Sequence, residues 1–283
     1  LMFYEAIGNM IKEEYNLHQK IFYIKTLMSD KQNQWNQIFS QAKNNPIILN
    51  NIDVVKGLAL IVHVNERVCY ATKTPYWYYG TNIFPDMINS FIYFSDIINK
   101  HLNANKPIDV NTRTYILYNR TLIKFFTSLV KNIDDKQIIQ KELLESFGKL
   151  LENFNSSNVN NRDPAMLLLF KEILDKLGNT DPNIVTVIWN YLFVNTLKLL
   201  INDFQSFPEH RINFFILLKS LISNSFESLF KTQNLSFNKD VIDTITFAVK
   251  HNAPNMSETG LETILILLEK VIHVSLIDGK DIL

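Results

Sequence analysis

The chain has 283 residues, of which 47% are hydrophobic and 20% are charged. An apolar content this high excludes a chain that is disordered as a whole. Lys and Arg together number 28, as do Asp and Glu, so the chain lacks the basic excess that proteins bound to nucleic acid or anionic lipid usually carry.

The single cysteine, Cys69, excludes an internal disulfide and a cysteine-rich zinc site, and it favours a reducing compartment. The N-terminus turns polar by residues 12–14, unlike a signal peptide. The chain has no initiator Met and opens and closes within apolar patterns, so we expect a piece of a longer protein. We also expect weak self-association through exposed apolar residues at 1–3 and 282–283.

Apolar residues recur at helical spacing through almost the whole chain. Phe214, Phe215, Leu218, Leu221 and Ile222 show this spacing in one segment, and strict alternation is hard to find. The pattern predicts an all-α protein. In chain order the predicted helices cover residues 2–13, 16–29, 31–45, 53–72, 77–102, 109–131, 134–154, 163–178, 182–204, 208–229, 236–251 and 255–278.

Capping residues support several of these boundaries. Asp163 and Asp181 each precede a proline, which places a carboxylate before the free amides of a first helical turn. Pro208 followed by Glu209 indicates another helix start. Gly178 fits the end of a helix.

From residue 53 the predicted helices group in pairs that start near residues 53, 109, 163, 208 and 255. The intervals of about 45 to 56 residues lie in or just above the range of HEAT repeats, which are antiparallel helix pairs stacked into a superhelix. A globular bundle needs no such period. We therefore predict one array of about six repeats over residues 1–283, without an internal domain boundary and truncated at both ends.

Catalytic motifs are absent: the chain has no HExxH, GxGxxG, phosphate-loop or GxSxG sequence. His63 and Cys69 could form a reactive pair, but six residues place them on different helix faces. The aromatic run at 76–79 could stack nucleobases, although no basic cluster surrounds it, so packing is favoured. Lys141, Glu142, Glu145 and Lys149 are typical of a solvated helix face.

The triplet Glu209, His210 and Arg211 could serve acid–base chemistry, but a charged first helical turn is the simpler interpretation. We interpret the surrounding segment as structural, a helix start followed by a buried stripe. Its residues are Pro208, Glu209, His210, Arg211, Phe214 and Phe215. The sequence therefore predicts a non-enzymatic binding protein with no catalytic residue, metal site or cofactor of its own.

Residues 203–218 read DFQSFPEHRINFFILL, which resembles the DFxxYPEHRxNFFxLL segment of the nuclear exportins for leucine-rich signals, the exportin-one family of the importin-β superfamily. Further matches occur in the same order. Residues 3–11 resemble the family's FYEAVGxMI helix, and residues 35–42 its WxxIxxQA helix. Residues 55–69 resemble VK…NVRAC, and 247–261 resemble WAFKH…TGL. These matches indicate the C-terminal region of that family.

The resemblance implies a HEAT-repeat receptor that shuttles between nucleus and cytoplasm. Its expected partners are Ran-GTP, cargo proteins with leucine-rich export signals, and nucleoporins, with no direct nucleic acid and no membrane insertion. GTP would enter only through Ran. Inner helices of the family's C-terminal repeats help embrace Ran, but the resemblance carries over no named Ran contacts.

The resemblance also implies what this chain lacks. The family's export-signal groove and its inhibitor-reactive cysteine lie roughly two to three repeats upstream of the matched region. We therefore expect no export-signal groove here, and Cys69 corresponds to a different cysteine inside a repeat.

Two departures from the family pattern have local consequences. The family's LPN turn is DKQ at residues 30–32, where a different turn is expected, and its Trp before AFKH is Phe247, expected to be a smaller core aromatic.

Two other functions stay open. A generic HEAT scaffold of a phosphatase or chromosome complex would share the period but not the motifs. A helical-bundle enzyme would show a pocket with converging polar groups.

Overall fold

A computed structural model of the chain describes residues 1–73, 78, 83–178, 180–230, 235–252 and 254–278. Every regular element within these ranges is helical, which confirms the all-α prediction. Contacts divide the chain into two units, Leu1–Leu169 and Phe170–Leu283, which are described separately below. The single uninterrupted array stays a prediction.

The first unit consists of helices joined by short connections. They are α1 (Met2–Lys12), α2 (Leu17–Asn44), a 3₁₀ turn (Pro46–Asn50), α3 (Ile52–Thr72), α4 (Phe84–Asn103), α5 (Val110–Lys131), α6 and a second 3₁₀ turn (Val159–Asn161). Helix α6 covers residues 136–156, as Lys136–Ile138, a π-helical turn at Ile139–Leu143, and Leu144–Ser156. The predicted helix start at residue 77 lies outside the described residues.

Helix α2 corrects the sequence prediction of two helices separated near residue 30. It is continuous because residues 30–32 contain no proline or glycine to interrupt it. Side chains also bridge this stretch along the helix: Gln34 Nε2 donates to Asp30 Oδ2 at 3.0 Å, and Lys31 Nζ donates to Gln34 Oε1 at 3.1 Å. The locally different turn expected here is therefore a helix interior.

The second unit is also built from helices. They are α7 (Ala165–Leu177), α8 (Pro182–Asn202), α9 (Pro208–Phe230), α10 (Leu235–Val249) and α11 (Pro254–Asp278). The first residues of α7, up to 169, fall in the first unit. Helix α8 also contains a π-helical turn, at Trp189–Phe193. Helix α9 is kinked at Ser225, whose φ and ψ of −138° and 20° are not helical.

Most of the described helices pack on partners one or two positions away in the chain, as in helical repeats. In the first unit α3 packs on α1 and α5, while α4 packs on α5 and α6. In the second unit α9 contacts α8, α10 and α11. The first unit's core includes a cluster of three rings in which Phe84 lies 5.3 Å from Phe126 and 5.6 Å from Phe147.

The predicted helix caps are present. Asp163 Oδ1 accepts from the Ala165 amide at 2.8 Å, and Asp181 Oδ1 accepts from Asn183 at 3.1 Å. Gly178 follows the last residue of α7, as predicted, but its requirement for glycine is steric. A Cβ atom there would overlap the backbone carbonyl of Asn224 on α9.

The apolar residues near the N-terminus are exposed, as expected: Met2 and Phe3 are 88% and 66% accessible. Residues 282 and 283 lie outside the described residues. Self-association through these surfaces stays a prediction.

Candidate binding site

The segment with the strongest family resemblance forms the entry into α9. Asp203 Oδ1 accepts from the Ser206 amide at 3.0 Å and closes the turn before the helix. Pro208 begins α9, where its missing amide hydrogen costs no helical hydrogen bond. Glu209 lies exposed in the first turn, and His210 is buried with its ring 5.5 Å from Phe207. These positions hold the helix start in a fixed orientation.

Arg211 ties the first turn of α9 back to the preceding loop. Its Nη1 atom donates to the Phe204 carbonyl oxygen at 3.1 Å, and its guanidinium lies 4.8 Å from the centre of the Phe204 ring. Such an arrangement combines a charge-assisted hydrogen bond with a cation–π contact. Arg211 therefore has a clear structural role in the geometry.

Phe214 and Phe215 are both buried one turn further along α9. The Phe214 ring packs 4.7 Å from Phe193 of α8 and 5.5 Å from Phe215. They form the buried stripe that the sequence predicts. The structural interpretation of the whole motif, as opposed to a direct role in binding, stays a prediction.

A cavity of about 460 Å³ opens between the end of α8, the start of α9 and one face of α10. Most of its lining is apolar: Leu197, Leu200, Ile201, Phe204, Phe214, Phe215 and Phe247. The polar lining comes from α10, as Asp240, Asp243 and Thr244. Motif residues that are far apart in sequence thus share one concave surface, which no single sequence motif indicates.

Phe247 corrects a sequence expectation. It is not a core aromatic, because 51% of its surface is exposed. Its ring lies 5.2 Å from Phe204 and 5.8 Å from His251, at the edge of the cavity. Phe247 therefore contributes to an exposed surface beside the cavity.

The other candidate groups are not assembled into a site. His63 Nδ1 lies 3.6 Å from Glu66 Oε2, while Cys69 is fully buried, and no hydrogen bond joins the two. Burial and the nearby Glu66 charge, in that order, raise the pKa of the Cys69 thiol, although a hydrogen bond with Asn132 partly opposes them. A neutral, inaccessible thiol is not a nucleophile.

Most of the aromatic run at 76–79 lies outside the described residues. Its member Tyr78 is buried, and its hydroxyl donates to Gln32 Oε1 at 3.4 Å. Burial raises the pKa of Tyr78 to about 12. Lys149 and Glu145 form an exposed pair 3.7 Å apart on α6, as expected for a solvated face.

The described residues contain no group of three or more His, Cys, Asp or Glu side chains placed to hold a metal ion. Among the described helices, only α8 is long and apolar enough to cross a membrane by length and composition. Half of its most apolar stretch is buried inside the protein, and buried core helices also meet this criterion of length and composition.

Comparison with known proteins supplies the family. Residues 81–277 match the family described as CRM1 C terminal. Exportin 1B of Arabidopsis thaliana is 26% identical over 94% of this chain, and Exportin-1 of Dictyostelium discoideum is 27% identical over 95%. Exportin-1 of Drosophila melanogaster is 26% identical over 95%.

The chain spans only about a quarter of each of these relatives, 25% of the Arabidopsis and Dictyostelium proteins and 26% of the Drosophila protein. The matched residues 81–277 include the entry into α9, Arg211 and every residue that lines the cavity. The chain belongs to the CRM1 C-terminal family of nuclear export receptors.

Proposed function

We propose that this chain works as the C-terminal part of a receptor that exports proteins with leucine-rich signals, together with Ran-GTP, through the nuclear pore. The observation that carries the proposal is the family match over residues 81–277. Relatives named exportin align with nearly the whole chain and support it. Such a receptor shuttles between nucleus and cytoplasm and contacts nucleoporins on the way.

Within that receptor the chain is a supporting surface and not an enzyme. Helices that pack on partners one or two positions away in the chain provide extended surfaces that a folded partner such as Ran can contact. The export-signal groove belongs to another part of the receptor, and GTP enters only as the nucleotide of Ran. We propose no catalytic residue and no cofactor in this chain.

A chimeric receptor tests this role. In Exportin-1 of Dictyostelium discoideum, the 272-residue region that aligns with this chain is replaced by this chain. Fluorescence anisotropy then measures binding of a labelled leucine-rich export peptide with and without Ran-GTP. We expect the chimera to keep Ran-dependent binding within about tenfold of the parent, or about 1.4 kcal/mol.

Two controls sharpen the outcome. The same region replaced by an unrelated helical-repeat scaffold of equal length should lose the Ran-dependent enhancement. The isolated chain should not bind the export peptide at all. A chimera that is folded by circular dichroism but binds no better than the scaffold replacement would overturn the proposal. Direct binding of the peptide to the isolated chain would show that the groove is wrongly placed.

A further inference from the structure

One face of α10 brings charge and aromatic surface to the same cavity. Asp240, Asp243, Thr244 and Phe247 follow the i, i+3, i+4, i+7 spacing of neighbours on a helix surface. All four line the cavity between α8, α9 and α10. The family motif does not include these two carboxylates.

The two carboxylates meet no cationic side chain among the residues that the structure describes. Within the described part of the chain, neither Asp240 nor Asp243 forms an ion pair. Thr244 Oγ1 already donates to the Asp240 carbonyl oxygen at 2.6 Å. The polar groups left facing the cavity are therefore acceptors that carry negative charge, and they are complementary to a ligand that donates hydrogen bonds and carries positive charge.

The remaining walls are apolar and aromatic. Phe214 and Phe215 are buried, while Phe204 is half-buried and held by Arg211. Phe247 exposes 51% of its surface beside them. A volume of about 460 Å³ lies in the range of ligand-binding cavities. It is large enough for one or two apolar side chains of a partner.

We propose that this cavity binds a short segment of a partner protein that inserts an apolar side chain among the phenylalanines and places Lys or Arg against Asp240 and Asp243. Grooves recognise helical segments by apolar anchors at fixed spacing, and complementary charges add specificity. The required basic residues distinguish this ligand from a purely apolar segment. The proposal does not rest on the export function.

The Leu-Arg probe is a fluorescein-labelled 14-residue helical peptide with Leu at two positions four apart and two Arg in the following turn. Two matched probes serve as controls. The Leu-Glu probe has Glu in place of both Arg, and the Ser-Arg probe has Ser in place of both Leu. Anisotropy is measured with the full chain at low salt. We expect the Leu-Arg probe to bind at least tenfold more tightly than either matched probe, with affinity falling as salt rises because the charges are partly exposed.

Charge reversal locates the binding. The double variant Asp240→Lys with Asp243→Lys should weaken binding of the Leu-Arg probe at least tenfold. The control Glu258→Lys with Glu269→Lys changes the net charge equally on exposed positions of α11, outside the cavity, and should leave binding unchanged. Equal loss in both variants would mean diffuse attraction and would overturn the proposal.

Milder variants guard against misfolding. Asp240→Asn with Asp243→Asn keeps side-chain shape, and Phe247→Ser removes an exposed ring. Each should weaken binding of the Leu-Arg probe several-fold while the circular dichroism spectrum stays unchanged. Failure of the wild-type chain to bind this probe below millimolar concentration would overturn the proposal, as would preference for the Leu-Glu probe.

Discussion

The guanidinium of Arg211 lies 4.8 Å from the Phe204 ring and also donates to the carbonyl oxygen of the same residue. One side chain thus fixes both the backbone and the ring of Phe204. Because Phe204 contacts Phe247 and lines the cavity, Arg211 holds one wall of that cavity in place. The charge at the start of α9 therefore acts through an aromatic neighbour.

Replacing Arg211 with Met should destabilise the protein by about 1–2 kcal/mol, because it removes a charge-assisted hydrogen bond and a cation–π contact but keeps the apolar stem. Urea denaturation followed by circular dichroism measures the change. Arg113 is exposed on α5, so Arg113→Met should change stability by less than about 0.5 kcal/mol. Equal effects of the two substitutions would contradict the assigned role of Arg211.

Replacing glycine with alanine at two positions should change the stability of the protein in opposite directions. Gly178→Ala forces a methyl group into the Asn224 carbonyl and should destabilise the protein by about 1–3 kcal/mol. Gly148→Ala meets no atom within 4 Å inside α6, and should stabilise it by about 0.5–1 kcal/mol. Thermal unfolding compares both variants with the wild type. Loss of stability at Gly148 or none at Gly178 would contradict the packing described.

Lowering the pH should destabilise the first turn of α5, because it protonates the capping carboxylate of Asp109. The Thr112 backbone amide, then its side chain, stabilises the carboxylate and lowers the pKa of Asp109 below its usual value of 3.8. A depressed pKa in the folded state adds stability above the unfolded pKa, and that stability is lost as pH falls through the folded value. Asp109→Asn keeps a capping side chain without the charge.

The Asp109→Asn variant should therefore lose less stability than the wild type between about pH 5 and pH 2. Urea midpoints across this range measure the difference. Asp96 is exposed on α4, and Asp96→Asn should follow the wild-type profile. Parallel profiles for all three proteins would show that the Asp109 cap contributes no acid dependence.

Cys69 should be unreactive in the folded protein. It is fully buried, and burial together with Glu66 raises the pKa of its thiol, so the thiolate that reacts is scarce. Labelling with a disulfide reagent at pH 8 should be at least about tenfold slower in buffer than in urea. Rapid labelling of the native chain would show that this part of α3 opens readily.

Sequence patterns predicted the helices wherever caps and apolar stripes agree. The starts at Pro182 and Pro208 match the structure because proline and the preceding turn act locally. The break near residue 30 was wrong because nothing local enforces it. The cavity could not be predicted, since it depends on where α10 lies against Phe204, and burial of Phe247 depends on the same packing.

The π-helical turns are a further feature that helical spacing alone does not indicate. In α8 buried residues recur every four positions, at Ile184, Ile188, Leu192 and Thr196. A helix of 3.6 residues per turn would rotate this stripe away from the core by about 40° at each step. The wider turn at Trp189–Phe193 absorbs the accumulated rotation. The regular four-residue spacing was the available signal.

These wide turns also affect how family members are compared. Each one holds a single extra residue inside a helix, where an insertion would ordinarily be expected only in a loop. Removing one residue from Trp189–Phe193 would restore a regular helix and keep both of its ends in place. We therefore expect relatives to differ by single residues inside α6 or α8, and such a difference would mark a change of helix winding.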